Sequence, residues 1–295
     1  MIVVTAPTGA IGRQVLARLV DGGETVRVIA RDPSRIPDGV RERIEVHEGS
    51  HGDPAVVDQA FAGADAVFWL VPPDPHAKTV EAAYLDFSRP ACDAVKRHGV
   101  KRVVGVSALG RGVTSNAGLV SGSLAMDDLF AETGVNYRAL TMPSFMDNIL
   151  RQTAALKNQG MFVGPINAER RLPTCATRDI AAVAATLLLD ASWNGVAEVP
   201  ILGPEDLSCN DMAGIMSDVL GKAVRYKQIP FDSYKSAFIG QGWSEAMAQG
   251  MVDMMMAKDQ GLDNARPRTQ QATSPTSFRQ WCEEVLKPAM SKEIG

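Results

Sequence analysis

A chain of 295 residues with 45% hydrophobic and 22% charged side chains has the make-up of a packed globular protein, which excludes wholesale disorder. A net charge of -4 and a pI near 5.6, with no long basic stripe, exclude a nucleic-acid backbone as partner. The longest nearly apolar run, Ile180–Leu189, is about half of a membrane span, and no basic stretch precedes the first apolar residues as in a signal peptide. Four scattered cysteines (Cys92, Cys175, Cys209, Cys282) form no C-x-x-C pair and no Cys/His cluster, so a cytoplasmic location without structural zinc is expected.

Short β-rich runs alternate with helical patterns through the first half. Strands are expected at Ile2–Thr5, Thr25–Ala30, Ile44–His47, Ala66–Val71, Arg102–Ser107 and Tyr137–Thr141, and helices at Gly12–Val20, Ala55–Ala60, Thr79–Arg97 and Leu124–Thr133. Pro90 falls inside the third helix and predicts a kink or break there. Near-continuous apolar strands such as AVFWLV suit burial on both faces, so the alternation predicts right-handed βαβ units in a doubly wound parallel sheet. After Pro143 the spacing predicts a helix over Phe145–Asn158, another from near Thr177, a strand at VPILG, and a helix capped by Ser208 or Asn210. The expected organisation is a Rossmann-type domain over residues 1–150, to which 175–204 return, with residues 151–295 mainly a small, mostly helical substrate lobe. Ligands of open α/β sheets lie at the carboxyl ends of the strands, which places the expected cleft between lobe and sheet.

The stretch T-A-P-T-G-A-I-G, Thr5 to Gly12, follows a strand and opens a helix. Glycines at Gly9 and Gly12 permit positive φ and close approach of the backbone to a pyrophosphate, which the helix N-terminus attracts. Ala6 stands where a first glycine would, so a positive φ there would be strained. The alternative is a plain strand running into an amphipathic helix. The second strand runs into A-R-D-P-S-R, and the position just past such a strand reads the ribose. Arg31, with Arg35 nearby, suits the 2′-phosphate of NADP, where an acidic residue would suit NAD; the alternative is a solvated pair of arginines.

The segments T-A-P-T-G-A-I-G-R, A-R-D-P-S-R, G-V-K-R-V-V-G-V-S-A-L-G, Y-R-A-L-T-M-P-S-F-M-D-N, T-R-D-I-A-A-V-A-A and T-S-P-T-S-F-R-Q-W-C-E-E resemble the NmrA-like family of atypical short-chain dehydrogenases/reductases over nearly the whole chain. That family includes NADP-binding redox sensors, quinone oxidoreductases of type 2, triphenylmethane-dye reductases and ergot-alkaloid reductases. The resemblance implies that Thr8, Gly9, Ala10, Ile11 and Gly12 hold the pyrophosphate and Arg31 the 2′-phosphate. It places Leu70, Val71 and Pro72 on the adenosine side, and Ser107, Pro143 and Phe145 near the nicotinamide. It implies NADP(H) as cofactor, with neither flavin nor metal.

The chain departs from the family pattern at several points. Ala6 replaces the first glycine of G-x-x-G-x-x-G, Gly49-Ser50 stands for a Gly-Asp that touches adenine, and Ser123-x-x-x-Asp127 stands for H-x-x-x-E. None of Tyr84, Tyr137, Tyr226 and Tyr234 has lysine four residues later, so the dyad that protonates a carbonyl is missing. A positioned acid contributes roughly 10²–10⁴-fold. Without it, hydride transfer to an electron-poor acceptor, such as a quinone, a dye iminium or an azo compound, is the chemistry the chain suits. Ser107 and Ser123 are candidate donors to a substrate oxygen, the alternative being a capped turn or solvated loop. The competing expectation is a non-catalytic NADP(H) sensor that acts through a protein partner.

Trp243, Met247 and Met251, with Met254 and Met255, recur at helical spacing in W-S-E-A-M-A-Q-G-M-V-D-M-M-M. Such a stripe either packs in the core or offers an adaptable apolar surface to a bulky aromatic acceptor. The four histidines lie in no ligand-spaced cluster, and Asp86, Asp93 and the Asp127-Asp128 pair are expected on solvated helix faces.

Overall fold

The computed structural model describes residues 1–112 and 116–291. β1 (Ile2–Thr5) is buried along its whole length, as a strand covered on both faces must be. α1 (Gly12–Asp21), β2 (Val26–Ala30), α2 (Asp38–Arg41), β3 (Glu45–Glu48), α3 (Pro54–Phe61) and β4 (Ala66–Trp69) follow. Asp53 caps α3 by accepting from the amides of Ala55 (2.8 Å) and Val56 (3.3 Å), with Pro54 at the first helical position. α4 (Phe87–His98) is entered through a π-helical turn at Ala82–Asp86. This turn realises the break expected at Pro90: proline has no N–H to give the carbonyl four residues back, at Asp86, and the wider turn absorbs the mismatch.

Next come β5 (Arg102–Ala108), α5 (Leu119–Ala131), β6 (Asn136–Met142) and the two-residue β7 (Ser144–Phe145). The helix expected from Phe145 starts instead as a 3₁₀ stretch, Met146–Gln152, before α6 (Thr153–Gln159). The chain continues through β8 (Met161–Gly164), β9 (Leu172–Cys175), α7 (Thr177–Leu189), β10 (Val196–Pro200), β11 (Asp206–Leu207), α8 (Cys209–Leu220) and β12 (Arg225–Gln228). α9 (Phe231–Gly240), α10 (Glu245–Asp259), α11 (Phe278–Trp281) and α12 (Lys287–Ser291) complete it. The strand expected at VPILG is displaced: β10 ends at Pro200, and Leu202 makes an isolated bridge to Thr273.

The chain divides into two units. The first comprises Met1–Ala108, Ser121–Thr141 and Ile180–Val199. Its seven-stranded sheet has the order β10-β6-β5-β4-β1-β2-β3, a Rossmann-type doubly wound arrangement. The order reverses at β1, which lies between β2 and β4 and pairs parallel with both. That reversal is the switch point at which open α/β sheets take ligands. Trp69, fully buried, meets the rings of Phe61, Phe87 and Phe130 and donates from Nε1 to Ser88 Oγ at 3.2 Å. Full burial of Phe61 and of Phe130 contributes roughly 1.5–3 kcal/mol each.

The second unit comprises Leu109–Val120, Met142–Asp179 and the chain from Pro200 onward. It has a core of its own, built around Met146, Leu156, Phe162, Met216, Phe278 and Trp281. A three-stranded sheet (β11-β9-β7) and a parallel pair (β12-β8) accompany its helices. Ser208 is the cap of α8, in a reciprocal capping box with Asp211. Asp147, from the P-S-F-M-D-N segment, accepts from Thr177 N (3.0 Å) and Thr177 Oγ1 (2.8 Å) and so tethers the start of α7. Asp179 accepts from Thr276 N (3.1 Å) and Oγ1 (2.8 Å), which ties the T-S-P-T-S-F segment to the same helix. No helix among the described residues is long and apolar enough to cross a membrane.

Candidate cofactor site

The turn between β1 and α1 is held by two backbone bonds, Gly9 N to Ala6 O (3.0 Å) and Arg13 N to Gly9 O (3.1 Å). Ile11, at the helix N-cap, supplies no side-chain cap. The amides of Ile11 and Gly12, with that of Ala10 just ahead of them, therefore stand at the positive end of a ten-residue helix, where an anion is favoured. Gly12 is the residue the turn cannot replace: a Cβ there would lie 2.1 Å from Ala6 O. Gly9 has more room, with the same carbonyl 3.3 Å from a Cβ.

Ala6 has φ +49°, the one non-glycine residue at positive φ among those described. For an L-residue this costs roughly 1–2 kcal/mol. Ala6→Gly removes the strain and gives back about 0.4–1 kcal/mol through the freer unfolded chain. The expected outcome is a gain of up to about 1 kcal/mol, read as a rise in Tm of about 2 °C. A lowered Tm would show that Ala6 is not strained.

Parallel registry brings the strand ends to one edge. Thr5 pairs with Ile29, Val4 with Phe68, and Trp69 with Gly105, so the chain leaves β1, β2, β4 and β5 in step. Two residues beyond the row of Ile29, Thr5, Trp69 and Gly105 stand Arg31, Pro7, Val71 and Ser107. Fully buried Thr5 locks the centre of this edge, donating from Oγ1 to Phe68 O (2.9 Å) and accepting from Leu70 N (3.0 Å). Val71 is buried, Leu70 half-buried and Pro72 exposed. Arg31 is exposed at the end of β2, while Asp32 is occupied in accepting from Ser34 N at 3.1 Å.

Sequence reasoning did not single out His51, which is 6% exposed beside the same edge. Its ring meets Trp69 and Phe87 edge-on, and Nε2 bonds to Leu70 O at 2.9 Å, which makes Nε2 the protonated nitrogen. Burial, against the Leu70 bond and with Arg31 nearby, pushes its pKa down to about 4. The unfolded chain takes up that proton near pH 6.5 and the folded chain only near 4, so this contribution to stability is whole above pH 6.5 and is lost as pH falls toward 4. The expected loss is on the order of 3 kcal/mol, and replacing His51 with glutamine should flatten the profile of Tm against pH across that window. A profile unchanged by the substitution would assign the loss to other groups.

Ser107 and Ser123 occupy neither a capped turn nor a solvated loop. Ser107, 7% exposed, donates its hydroxyl proton to Asp127 Oδ2 and accepts from Ser123 Oγ at 3.5 Å. Asp127, expected on a solvated face, is 2% exposed and also accepts from Tyr137 OH at 2.7 Å. Its neighbour Asp128 takes the solvent side instead. Helical phase explains the difference: Ser123, Asp127 and Phe130 fall at spacings of four and three, on the stripe α5 turns inward. Tyr137 reaches Asp127 because Gly105 leaves a notch in β5, where a Cβ would lie 2.0 Å from the phenol oxygen. The Tyr137 ring stacks on Phe130, with centroids 5.4 Å apart and planes 2° from parallel.

The remaining expected positions fall in the second unit. Pro143 is buried and Phe145 half-buried at the start of β7. Met247 is fully buried in α10. Trp243 and Met251 are half-buried, and the Trp243 ring packs 4.6 Å from that of Phe238. Among the described residues, no three His, Cys, Asp or Glu side chains are grouped to hold a metal ion.

A family described as NAD(P)H-binding matches residues 7–191, from within the glycine turn to the end of α7. The chain belongs to that family. It is 29% identical over 290 residues to the (4-alkanoyl-5-oxo-2,5-dihydrofuran-3-yl)methyl phosphate reductase of Streptomyces griseus, covering 96% of this chain and 97% of the relative. It is 27% identical over 254 residues to the NAD(P)H azoreductase of Xenophilus azovorans, covering 86% of each. The fold is that of the NADPH-dependent quinone oxidoreductase of Escherichia coli in its NADPH complex, with a TM-score of 0.79 at 21% identity over 97% of this chain and all of the other. For this NAD(P)H-binding protein, the glycine turn suits a pyrophosphate on its own geometry: Gly12 lets the start of the helix close against Ala6 O, and the helix amides are left without a side-chain cap.

Proposed function

We propose that this protein binds NADP(H) in preference to NAD(H) and passes hydride to an electron-poor conjugated acceptor of the quinone, azo-dye or iminium type. The observation that carries the reading is the common edge of β1, β2, β4 and β5, where the turn at Gly12 and the exposed guanidinium of Arg31 stand in step. When bound, the nicotinamide supplies the hydride. The amides of Ala10 to Gly12 receive the pyrophosphate, Thr8 flanks it, and Arg31 receives the 2′-phosphate. Leu70 to Pro72 line the adenosine side, and Ser107 bounds the nicotinamide.

The proton inventory favours soft acceptors. No tyrosine is followed by lysine four residues later, and Ser107 commits its only proton to a buried carboxylate. A carbonyl that must become an alcohol would lack an acid here, whereas an acceptor that stabilises its own developing charge needs only positioning. The acceptors in the names of the relatives, an azo compound, a quinone and an acyl-substituted dihydrofuranone, share that electron-poor character.

Calorimetric titration with NADPH and NADP⁺ is the first test; absence of binding by both removes the proposal. NADPH oxidation is then followed in the presence of a quinone, an azo dye and a triphenylmethane dye. Turnover of at least one is expected. Tight binding with no turnover of any would favour a cofactor-sensing role through a protein partner.

A further inference from the structure

Two buried hydroxyls in the first unit direct their protons to one carboxylate, and a third donates to the first of them. Ser107 donates to Asp127 Oδ2, Tyr137 donates to Oδ1 at 2.7 Å, and Ser123 donates to Ser107 Oγ at 3.5 Å. We propose that Asp127 is a positioning residue that commits the Ser107 proton and so presents Ser107 as a hydrogen-bond acceptor, matched to the N–H of the nicotinamide carboxamide and not to a developing oxyanion. This rests on the reading that the nicotinamide lies at the carboxyl end of β5.

A serine hydroxyl has one proton and two lone pairs, so once the proton is given to a carboxylate only acceptor capacity is left for a ligand. Ser123 takes at most one of those lone pairs. The carboxylate cannot turn to release Ser107, because Tyr137 holds its other oxygen and is itself fixed by the stack on Phe130 and the notch at Gly105. Ser107 and Tyr137 each have one proton to give, and both are directed at the two oxygens of Asp127. The nicotinamide ring system carries its N–H donors only on the carboxamide. The arrangement therefore recognises that group, and Ser107 is not the donor to a substrate oxygen that the sequence allowed.

The test compares NADP⁺ with its 3-acetylpyridine analogue, in which a methyl ketone replaces the carboxamide and the phosphates are unchanged. By calorimetry, the wild-type protein is expected to bind NADP⁺ about tenfold more tightly than the analogue. Ser107→Ala should reduce the ratio to about two or less, and Ser107→Thr, which keeps the hydroxyl, should restore it. Asp127→Asn frees the Ser107 proton to serve the ketone, so the ratio should collapse although Ser107 is present. A merely structural role for Asp127 would weaken both ligands alike and leave the ratio at its wild-type value. If Asp127→Asn does not fold, the Ser107→Ala and Ser107→Thr pair still decides. Equal wild-type binding of the two ligands, or a tenfold ratio surviving in Ser107→Ala, overturns the inference while the cofactor reading stands. No binding of either ligand overturns both.

Discussion

Gly12→Ala is expected to weaken NADPH binding by about 100-fold. The added carbon would lie 2.1 Å from Ala6 O, 2.8 Å from Ala6 C and 3.2 Å from Thr5 O, all of them backbone atoms. No side chain can rotate aside, so α1 must move away from β1 or the turn must unwind. Either motion displaces the amides of Ala10 to Gly12 from the position of a pyrophosphate, and charge-assisted bonds lose most of their strength with such misalignment. Overpacking of this kind also costs roughly 1–3 kcal/mol of stability. Gly9→Ala is the internal control: its Cβ meets the same carbonyl at 3.3 Å, so a few tenths of an ångström suffice and the loss should stay within about tenfold. Calorimetric titration beside near-ultraviolet circular dichroism separates lost binding from lost fold. Equal, small effects of the two substitutions would remove the turn from the cofactor site.

What the sequence disclosed and what it concealed follow from the range of the interactions involved. The glycine turn, the alternation of β1 to β6 with helices, and the cap at Ser208 are local: periodicity, a spacing of three, and one side chain reaching an amide three residues on. The π-helical turn ahead of Pro90 was announced by the proline itself. The Ser107–Asp127–Tyr137 network was not legible, because it joins β5, α5 and β6 across a sheet, and nothing in the spacing of a serine, an aspartate and a tyrosine says that they meet. Two faint signals existed. Asp127 falls on the inward stripe of α5, and Gly105 interrupts the run V-V-G-V, as a strand glycine does where another group approaches closely. His51 was concealed in the same way, since its burial depends on Trp69 and Phe87 arriving from later in the chain. Met247 shows the converse: helical spacing gave the stripe but not which side the protein covers.

Arg31→Asp is expected to weaken NADPH by about 100-fold and to leave NADH within about threefold of its wild-type affinity. Arg31 leaves β2 one residue beyond Ala30, in step with the glycine turn, and among the described residues no carboxylate holds it in an ion pair. Asp32, its nearest acid in sequence, is turned to the amide of Ser34 at 3.1 Å. The guanidinium is thus uncommitted, and a 2′-phosphate offers the planar, bidentate partner that suits it. Because Arg31 is exposed, an ordinary side-chain pair there would be worth little; a phosphate carrying close to two charges is the stronger case, and the substituted aspartate adds repulsion to the lost attraction. The same aspartate can accept from the free 2′-hydroxyl of NADH, which is why that cofactor should be spared. Ionic strength gives an independent arm: the wild-type affinity for NADPH should fall as salt rises, and the variant should lose that dependence. Equal weakening of NADPH and NADH would place the 2′-phosphate away from Arg31, and retention of NADPH would leave Arg35 as the residue to replace next.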